Sequence, residues 1–160
     1  MEYIQSPGRM EYLTGKKPEG CIFCKDHGRD EDLVLYEGTH CYVIMNKYPY
    51  NSGHLLIPPF RHVSSIQEMS MDEKIEMLNL VDLCVEIMKR TMNPDGFNIG
   101  LNMGKSAGAG VADHLHLHIV PRWPGDTNFA TVLGDIRVIP EGVKETRNML
   151  LPFFANNKED

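Results

Sequence analysis

From Leu33 onward the chain alternates short apolar runs with turn residues, and the period of those runs defines the elements. Leu33–Glu37 and His40–Asn46 (HCYVIMN) are rich in β-branched and aromatic residues, and Gly38-Thr39 between them predicts two strands joined by a tight turn. Tyr48 to Gly53 reads as a loop from its Pro, Asn and Gly, and His54–Ile57 (HLLI) as a short buried strand ended by Pro58-Pro59. The period then becomes helical. Ser70-Met71-Asp72-Glu73 has the pattern of a capping box, with acidic residues placed favourably at a helix N-terminus. Apolar residues follow at Met71, Ile75, Leu78, Val81, Val85 and Met88, with Lys74, Asp82, Glu86 and Lys89 turned away. Met77, Leu80, Cys84 and Ile87 widen this face, which predicts packing against more than one neighbour. Asn93-Pro94-Asp95-Gly96 stops the helix. Phe97–Met103 resumes strand, Gly104 to Gly110 (GKSAGAG) is a glycine-rich loop, and His114–Pro121 (HLHLHIVP) is the last clear strand.

Three closely spaced strands, one long helix and two further strands make an α+β order. It predicts an antiparallel sheet of about five strands with the helix on one face. A doubly wound parallel sheet would need several crossover helices. Residues 1–20, with their Pro, Gly and Lys, read as an N-terminal arm, 21–145 as the domain, and 146–160 as a C-terminal tail without clear period.

Composition narrows the class. The 160 residues suit one domain, and 42% hydrophobic with 24% charged residues is the balance of a folded chain. A net charge of −6 opposes a generic nucleic-acid or anionic-membrane binder. No apolar run approaches the roughly 20 residues of a membrane span. The start MEYIQSPGRMEY lacks the apolar core of a secretory signal, and 4 Cys are few for a disulfide scaffold. The expectation is a reduced, cytoplasmic protein.

The candidate chemistry is concentrated at His114-Leu115-His116-Leu117-His118. With a side-chain period of two, the three imidazoles share one face, about 6–7 Å apart, and the leucines share the other. Three stacked polar rings need partners, and any two charged ones repel. Three readings fit: a solvated polar face, a His-x-His metal site, or a histidine nucleophile acting at phosphorus. The glycine loop before the strand offers unhindered backbone N–H groups suited to phosphate oxygens. It is not a P-loop, since Ile99 stands where GxxxxGK[ST] needs Gly and a strand rather than a helix follows. Cys21-Ile22-Phe23-Cys24 alone fits a redox pair, two core thiols or half a zinc site. Cys41 and Cys84 cannot complete a second CxxC, so a zinc ribbon is excluded.

HLHLHIV resembles the signature of the histidine-triad (HIT) family of nucleotide hydrolases and transferases. NKYPYNSGHLLIPPFRH, with Asn46 and His54, is similar to the family's ribose-side segment. PDGFNIGLNMGKSAGAGVADHLHLHIVPRW and GDTNF resemble the branch containing diadenosine tetraphosphate phosphorylases. The likeness covers roughly residues 20 to 140.

The resemblance implies a homodimeric enzyme acting on an adenine nucleotide or dinucleoside polyphosphate. By it His116 is the nucleophile at the α-phosphorus, His118 contacts non-bridging oxygens, and His114 orients His116, with His54 nearby. Asn46 would hold ribose hydroxyls; Asn102, Ser106, Gly108, Ala109 and Gly110 would hold phosphate; Trp123 would contact substrate. Part of the family binds a structural zinc, which maps to Cys21, Cys24, His62 and His114. Two departures bear on the reaction. The loop is one residue longer than in the short hydrolase branches, and Gly110 stands where those branches carry Gln or Ser to assist the leaving group. The third His is present, where hexose-phosphate uridylyltransferases carry Gln. The pattern therefore favours the short phosphorylase-like branch. Alternatives are hydrolysis of nucleoside phosphoramidates or adenylates, a triad-bound metal hydrolase, and a nucleotide-binding zinc protein without turnover.

Overall fold

The structure is a computed structural model that describes residues 20–26, 28–111, 113–127, 139 and 141–157. Apart from Gly20, the arm at 1–20 lies outside the described residues. Five strands form one antiparallel sheet: β1 (Val34–Glu37), β2 (Tyr42–Met45), β3 (Leu55–Ile57), β4 (Gly96–Leu101) and β5 (Leu117–Arg122), in the order β1-β2-β3-β5-β4. The order follows from the connections. A tight turn joins β1 to β2 and a loop joins β2 to β3, so these three pair in sequence, and the long helix between β3 and β4 leaves β5 to fill the gap.

Register assigns the faces. Ile44 pairs with Leu56, Leu56 with His118, and His118 with Gly100, so these residues and Tyr42 share one face. Met45, Leu55, Ile119 and Ile99 share the other, which carries the helices. β5 begins three residues later than the expected strand at His114, because β3 ends at Ile57 and β4 at Leu101 and neither reaches further. His114 to His116 run beside a loop instead, where the Leu115 N–H donates to the Val63 carbonyl at 2.7 Å.

The long helix, α1 (Met71–Thr91), is started by a true capping box. The Glu73 N–H donates to Ser70 Oγ at 3.1 Å, and the Ser70 N–H donates to the Glu73 carboxylate at 2.7 Å. Its buried face is Met77, Leu80, Val81, Cys84, Ile87 and Met88. The other stripe is not core: Met71, Ile75 and Leu78 are 67%, 52% and 62% exposed. Both stripes have helical period, so only the position of the sheet selects between them.

The expectation of one helix and a tail at 146–160 needs correction. A second helix, α2 (Val143–Ala155), lies against β1 and α1, with Leu150 and Phe154 fully buried. Phe154 stands 6.4 Å from the Tyr36 ring on β1, closing the core at that edge. The opposite sheet face is met by residues of the segments 20–26 and 28–33. There the Arg29 guanidinium lies 4.7 Å over the Tyr42 ring and pairs with Glu31 and Glu37, and the Tyr42 hydroxyl donates to the Phe23 carbonyl at 2.6 Å. Among the described residues no helix is long and apolar enough to cross a membrane.

Glu73 is 3% exposed and receives both Arg61 Nε–H and Nη2–H at 2.7 Å. The Arg61 hydrogen bonds, joined by the Ser70 N–H, hold its pKa at about 2 against the desolvating effect of burial. A carboxylate lowered in the folded state contributes stability above its unfolded value near 4.5, and loses it as pH falls toward 2. Glu73→Gln is therefore expected to be less stable than wild type at pH 7, with the gap in urea midpoint closing between about pH 5 and pH 2.

Candidate functional site

The site lies on the sheet face away from the helices, and its hydrogen bonds assign each tautomer. His54, at the entry to β3, is fully buried. Its Nδ1 accepts the Tyr50 N–H at 3.0 Å and faces the Asn46 amide nitrogen at 3.2 Å, so its proton sits on Nε2. That Nε2–H donates to His118 Nδ1 at 2.9 Å. His118 must then carry its own proton on Nε2, and this N–H is buried with no partner among the described residues. Burial, joined by His116 alongside, pushes the His118 pKa down to about 4, so the ring is neutral.

His116 has the opposite arrangement. Its Nδ1–H donates to the His114 carbonyl at 2.8 Å, which leaves a lone pair on Nε2. Burial lowers its pKa, partly offset by that backbone bond, so it too is neutral. With ring centroids 4.8 Å apart, the two imidazoles set one basic nitrogen beside one unpaired N–H. The solvated-face reading fails here, because His116 is 5% exposed and His114 fully buried.

His114 faces the other way, into the CxxC. Its Nε2–H donates to the Pro59 carbonyl at 2.8 Å, which turns Nδ1 toward the thiols. Nδ1 is 3.3 Å from Cys21 Sγ and 3.6 Å from Cys24 Sγ, and His62 Nδ1 is 3.4 Å from Cys24 Sγ. All four donor atoms lie within 4.8 Å of one another. A tetrahedral ion with bonds of roughly 2.3 Å to sulfur and 2.0–2.1 Å to nitrogen places S and N at about 3.6 Å, so the donor set fits zinc. Burial, and then the neighbouring Cys21, push the Cys24 thiol up to about 11; without a cation it keeps its proton. The triad does not itself form a metal cluster. Among the described residues only His114 joins one, while His116 Nδ1 is bonded to a carbonyl.

The glycine loop stands at the head of β5. Gly104 and Gly108 adopt φ of +81° and +83°, a backbone state that suits Gly, around a turn of 3-10 helix at Lys105–Ala107. Leu101 pairs with Leu117, so Asn102 leaves the sheet level with His116. Asn102 and Ala109 are half-buried, and Ser106, Gly108 and Gly110 are exposed. Opposite His118, Gly100 leaves open space: an added Cβ would meet nothing within 4 Å.

The structure thus brings together Asn46, His54, His116 and His118, and separately Cys21, Cys24, His62 and His114. Trp123 is not among them. It follows β5 on the parity of the opposite face, its indole N–H donates to the Asn93 carbonyl at 3.2 Å, and it lines a cavity with Asn51, Ser52 and Met92. Two aromatic residues in the site were not anticipated. Phe23, between the two Cys, packs its ring 4.7 Å from His116 and 5.5 Å from His114. Tyr50 lies 5.9 Å from His118, nearly parallel, and 4.6 Å from His54. The apolar residue inside a CxxC was a readable signal for the first; the loop around Tyr50 carried none.

Comparison with known proteins agrees with this geometry. The HIT domain matches residues 27–125. The AP-4-A phosphorylase of Mycobacterium tuberculosis is 43% identical over 126 residues, which span 79% of this chain and 65% of that protein. The match therefore covers somewhat less than two thirds of the relative's length. A Zn-bound histidine triad family protein from Mycobacterium smegmatis superposes with a TM-score of 0.69 at 26% identity, covering 89% of this chain and 98% of that one. A histidine triad nucleotide-binding protein from Sulfolobus tokodaii gives 0.68 at 29% identity, covering 86% and 94%. The His-x-His-x-His segment, a five-strand antiparallel sheet and a domain match over most of the described core lead to one assignment: the chain belongs to the HIT domain family.

Proposed function

We propose that this chain is a nucleotidyl transferase or hydrolase that attacks the α-phosphorus of a dinucleoside polyphosphate, such as diadenosine tetraphosphate, with His116 Nε2. The observation that carries the reading is the pair of opposed tautomers: a lone pair on His116 beside an unpartnered N–H on His118. In the first step the Nε2 pair forms an N–P bond as the P–O bond to the departing polyphosphate breaks, its electrons leaving on that oxygen. The imidazole becomes cationic, and the His114 carbonyl, already accepting from Nδ1–H, stabilises it. The His118 N–H and the loop N–H groups around Gly108 to Gly110 serve the non-bridging oxygens. In the second step an acceptor oxygen bonds to phosphorus, the P–N bond breaks, and the pair returns to Nε2. No step uses a basic surface, so a charge of −6 is compatible with a small nucleotide.

The relative named AP-4-A phosphorylase, and Gly110 in place of a side chain that could assist hydrolysis, support phosphate as the acceptor. Diadenosine tetraphosphate would then give ADP and ATP; with water it would give AMP and ATP. An assay with labelled inorganic phosphate is expected to place label in ADP. Unlabelled products and a rate independent of phosphate would sink the phosphorolytic version and leave hydrolysis.

Cys21, Cys24, His62 and His114 would hold a structural zinc, supported by the donor spacing and by the Zn-bound relative. Bound there, an ion would cross-link the CxxC turn to the triad segment, outside the transfer itself. The chain would pair with a second copy through the α1 stripe Met71, Ile75 and Leu78 and the edge strand β4, where Ile99 is 46% exposed on the helix-bearing face. Sedimentation is expected to show a dimer that Ile75→Glu with Leu78→Glu converts to a monomer. A wild-type monomer, or a dimer indifferent to both changes, would refute that face.

A further inference from the structure

We infer that Phe23 is a positioning residue for His116, through which the Cys21–Cys24 turn and its metal hold the nucleophile's ring in one tautomer. The inference rests on the reading of His116 as nucleophile and adds the means by which a distant donor set acts on it. Phe23 is 4% exposed, and its ring lies tilted 4.7 Å from His116 and edge-on 5.5 Å from His114. Its position is set at both ends by the turn itself. The Cys24 N–H donates to the Cys21 carbonyl at 3.1 Å, the Phe23 N–H points at Cys21 Sγ at 3.5 Å, and the Phe23 carbonyl accepts from Tyr42. An ion that joins Cys21 and Cys24 to His114 therefore fixes two things at once. It seats Phe23 against the face of His116, and it fixes the residue whose carbonyl receives the His116 Nδ1–H.

The need for such a seat follows from the imidazole's freedom. Rotation about its last side-chain torsion is broad and roughly two-fold. A ring turned over would present C–H to the His114 carbonyl and release the tautomer. Among the described residues one hydrogen bond restrains His116, at Nδ1, so contact with neighbouring rings must resist that rotation. His118 supplies one neighbour at 4.8 Å and Phe23 the other at 4.7 Å. A Phe that merely filled the core would leave the tautomer unaffected when trimmed.

The test is long-range proton–nitrogen correlation spectroscopy of the zinc-loaded, histidine-labelled protein at one neutral pH without substrate. Wild type is expected to show His116 as a single Nδ1–H tautomer. Phe23→Leu is expected to keep its zinc, by metal analysis, yet show His116 averaged between tautomers. Its kcat should fall roughly 10- to 100-fold with KM within about twofold of wild type. Chelated wild type should show the same averaging, and if chelation unfolds the chain the zinc-loaded variant alone decides. A single Nδ1–H tautomer retained in Phe23→Leu, whatever its melting temperature, would overturn the proposal. The spectrum needs no turnover, so a protein inactive on every dinucleoside polyphosphate would count against the proposed function and not against this coupling.

Discussion

Replacing His116 by alanine is expected to lower kcat by roughly 10,000-fold or more while leaving nucleotide binding within a few-fold of wild type. At about 1.4 kcal/mol per factor of ten, the loss is on the order of 5 kcal/mol or more of transition-state stabilisation. The asymmetry between rate and binding follows from the geometry. In the ground state His116 Nε2 offers only a lone pair, and phosphate oxygens present no hydrogen for it to accept. The groups suited to hold phosphate before reaction are the unpartnered His118 N–H and the backbone of the glycine loop, and the substitution leaves both in place. Titration with AMP alongside a product assay separates the two effects. A variant with wild-type turnover would remove His116 from the mechanism. The 5% exposed ring also packs on Phe23, so a lower melting temperature is expected and does not bear on the assignment.

Loss of the metal site is expected to give the largest effect on stability. Structural Cys and His sites for zinc contribute roughly 10–16 kcal/mol of apparent binding free energy in small peptides, and a ligand at about 1,000 times its Kd stabilises by about 4 kcal/mol. Here the four donors come from three segments distant in sequence: the CxxC turn at Cys21 and Cys24, the loop after β3 at His62, and the triad segment at His114. The backbone bonds joining these segments include the pairing of Leu115 N–H with the Val63 carbonyl, so a bound ion would supply much of the cross-linking. Chelation, or Cys24→Ser, is expected to lower the melting temperature sharply and to abolish stoichiometric zinc. Added zinc should restore stability to chelated wild type and not to the variant. An unchanged melting temperature after complete chelation would show that the donor cluster is structural without an ion.

The parts of the fold readable in the sequence were those governed by local rules. The capping box at Ser70 and Glu73 and the turn at Gly38-Thr39 each depend on a few neighbours in the chain, and each appears where the pattern placed it, whereas the alternation expected from His114 holds only from Leu117, and His114 itself turns to the CxxC. The errors have a common origin in tertiary choice. Met71, Ile75 and Leu78 have helical spacing as good as that of the stripe that is buried; only the sheet's position separates them. α2 was missed because Pro152 interrupts the apolar cluster Met149 to Phe154, whose burial against β1 and α1 is a long-range fact. The substrate contact of Trp123 is an expectation from likeness to relatives; within this chain its indole N–H donates to the Asn93 carbonyl. The zinc-ligand roles of His62 and His114 are likewise implied by resemblance, since no spacing rule links Cys21 to a residue on the approach to β5. Phe23 carries no local signal of its partners, because its contacts with His114 and His116 join segments about 90 residues apart in the chain.

The central claim is that transfer proceeds by two displacements at the α-phosphorus, with His116 Nε2 bonded to it between them. Each in-line displacement inverts configuration, so two give net retention. The direct measurement is the stereochemical course of the reaction on a diadenosine tetraphosphate carrying sulfur and isotopic oxygen at a chiral α-phosphorus. Retention in the nucleotide product is the result expected from the geometry of His116 and His118. Inversion would mean that the acceptor attacks phosphorus directly, and would contradict a nucleophilic role for His116.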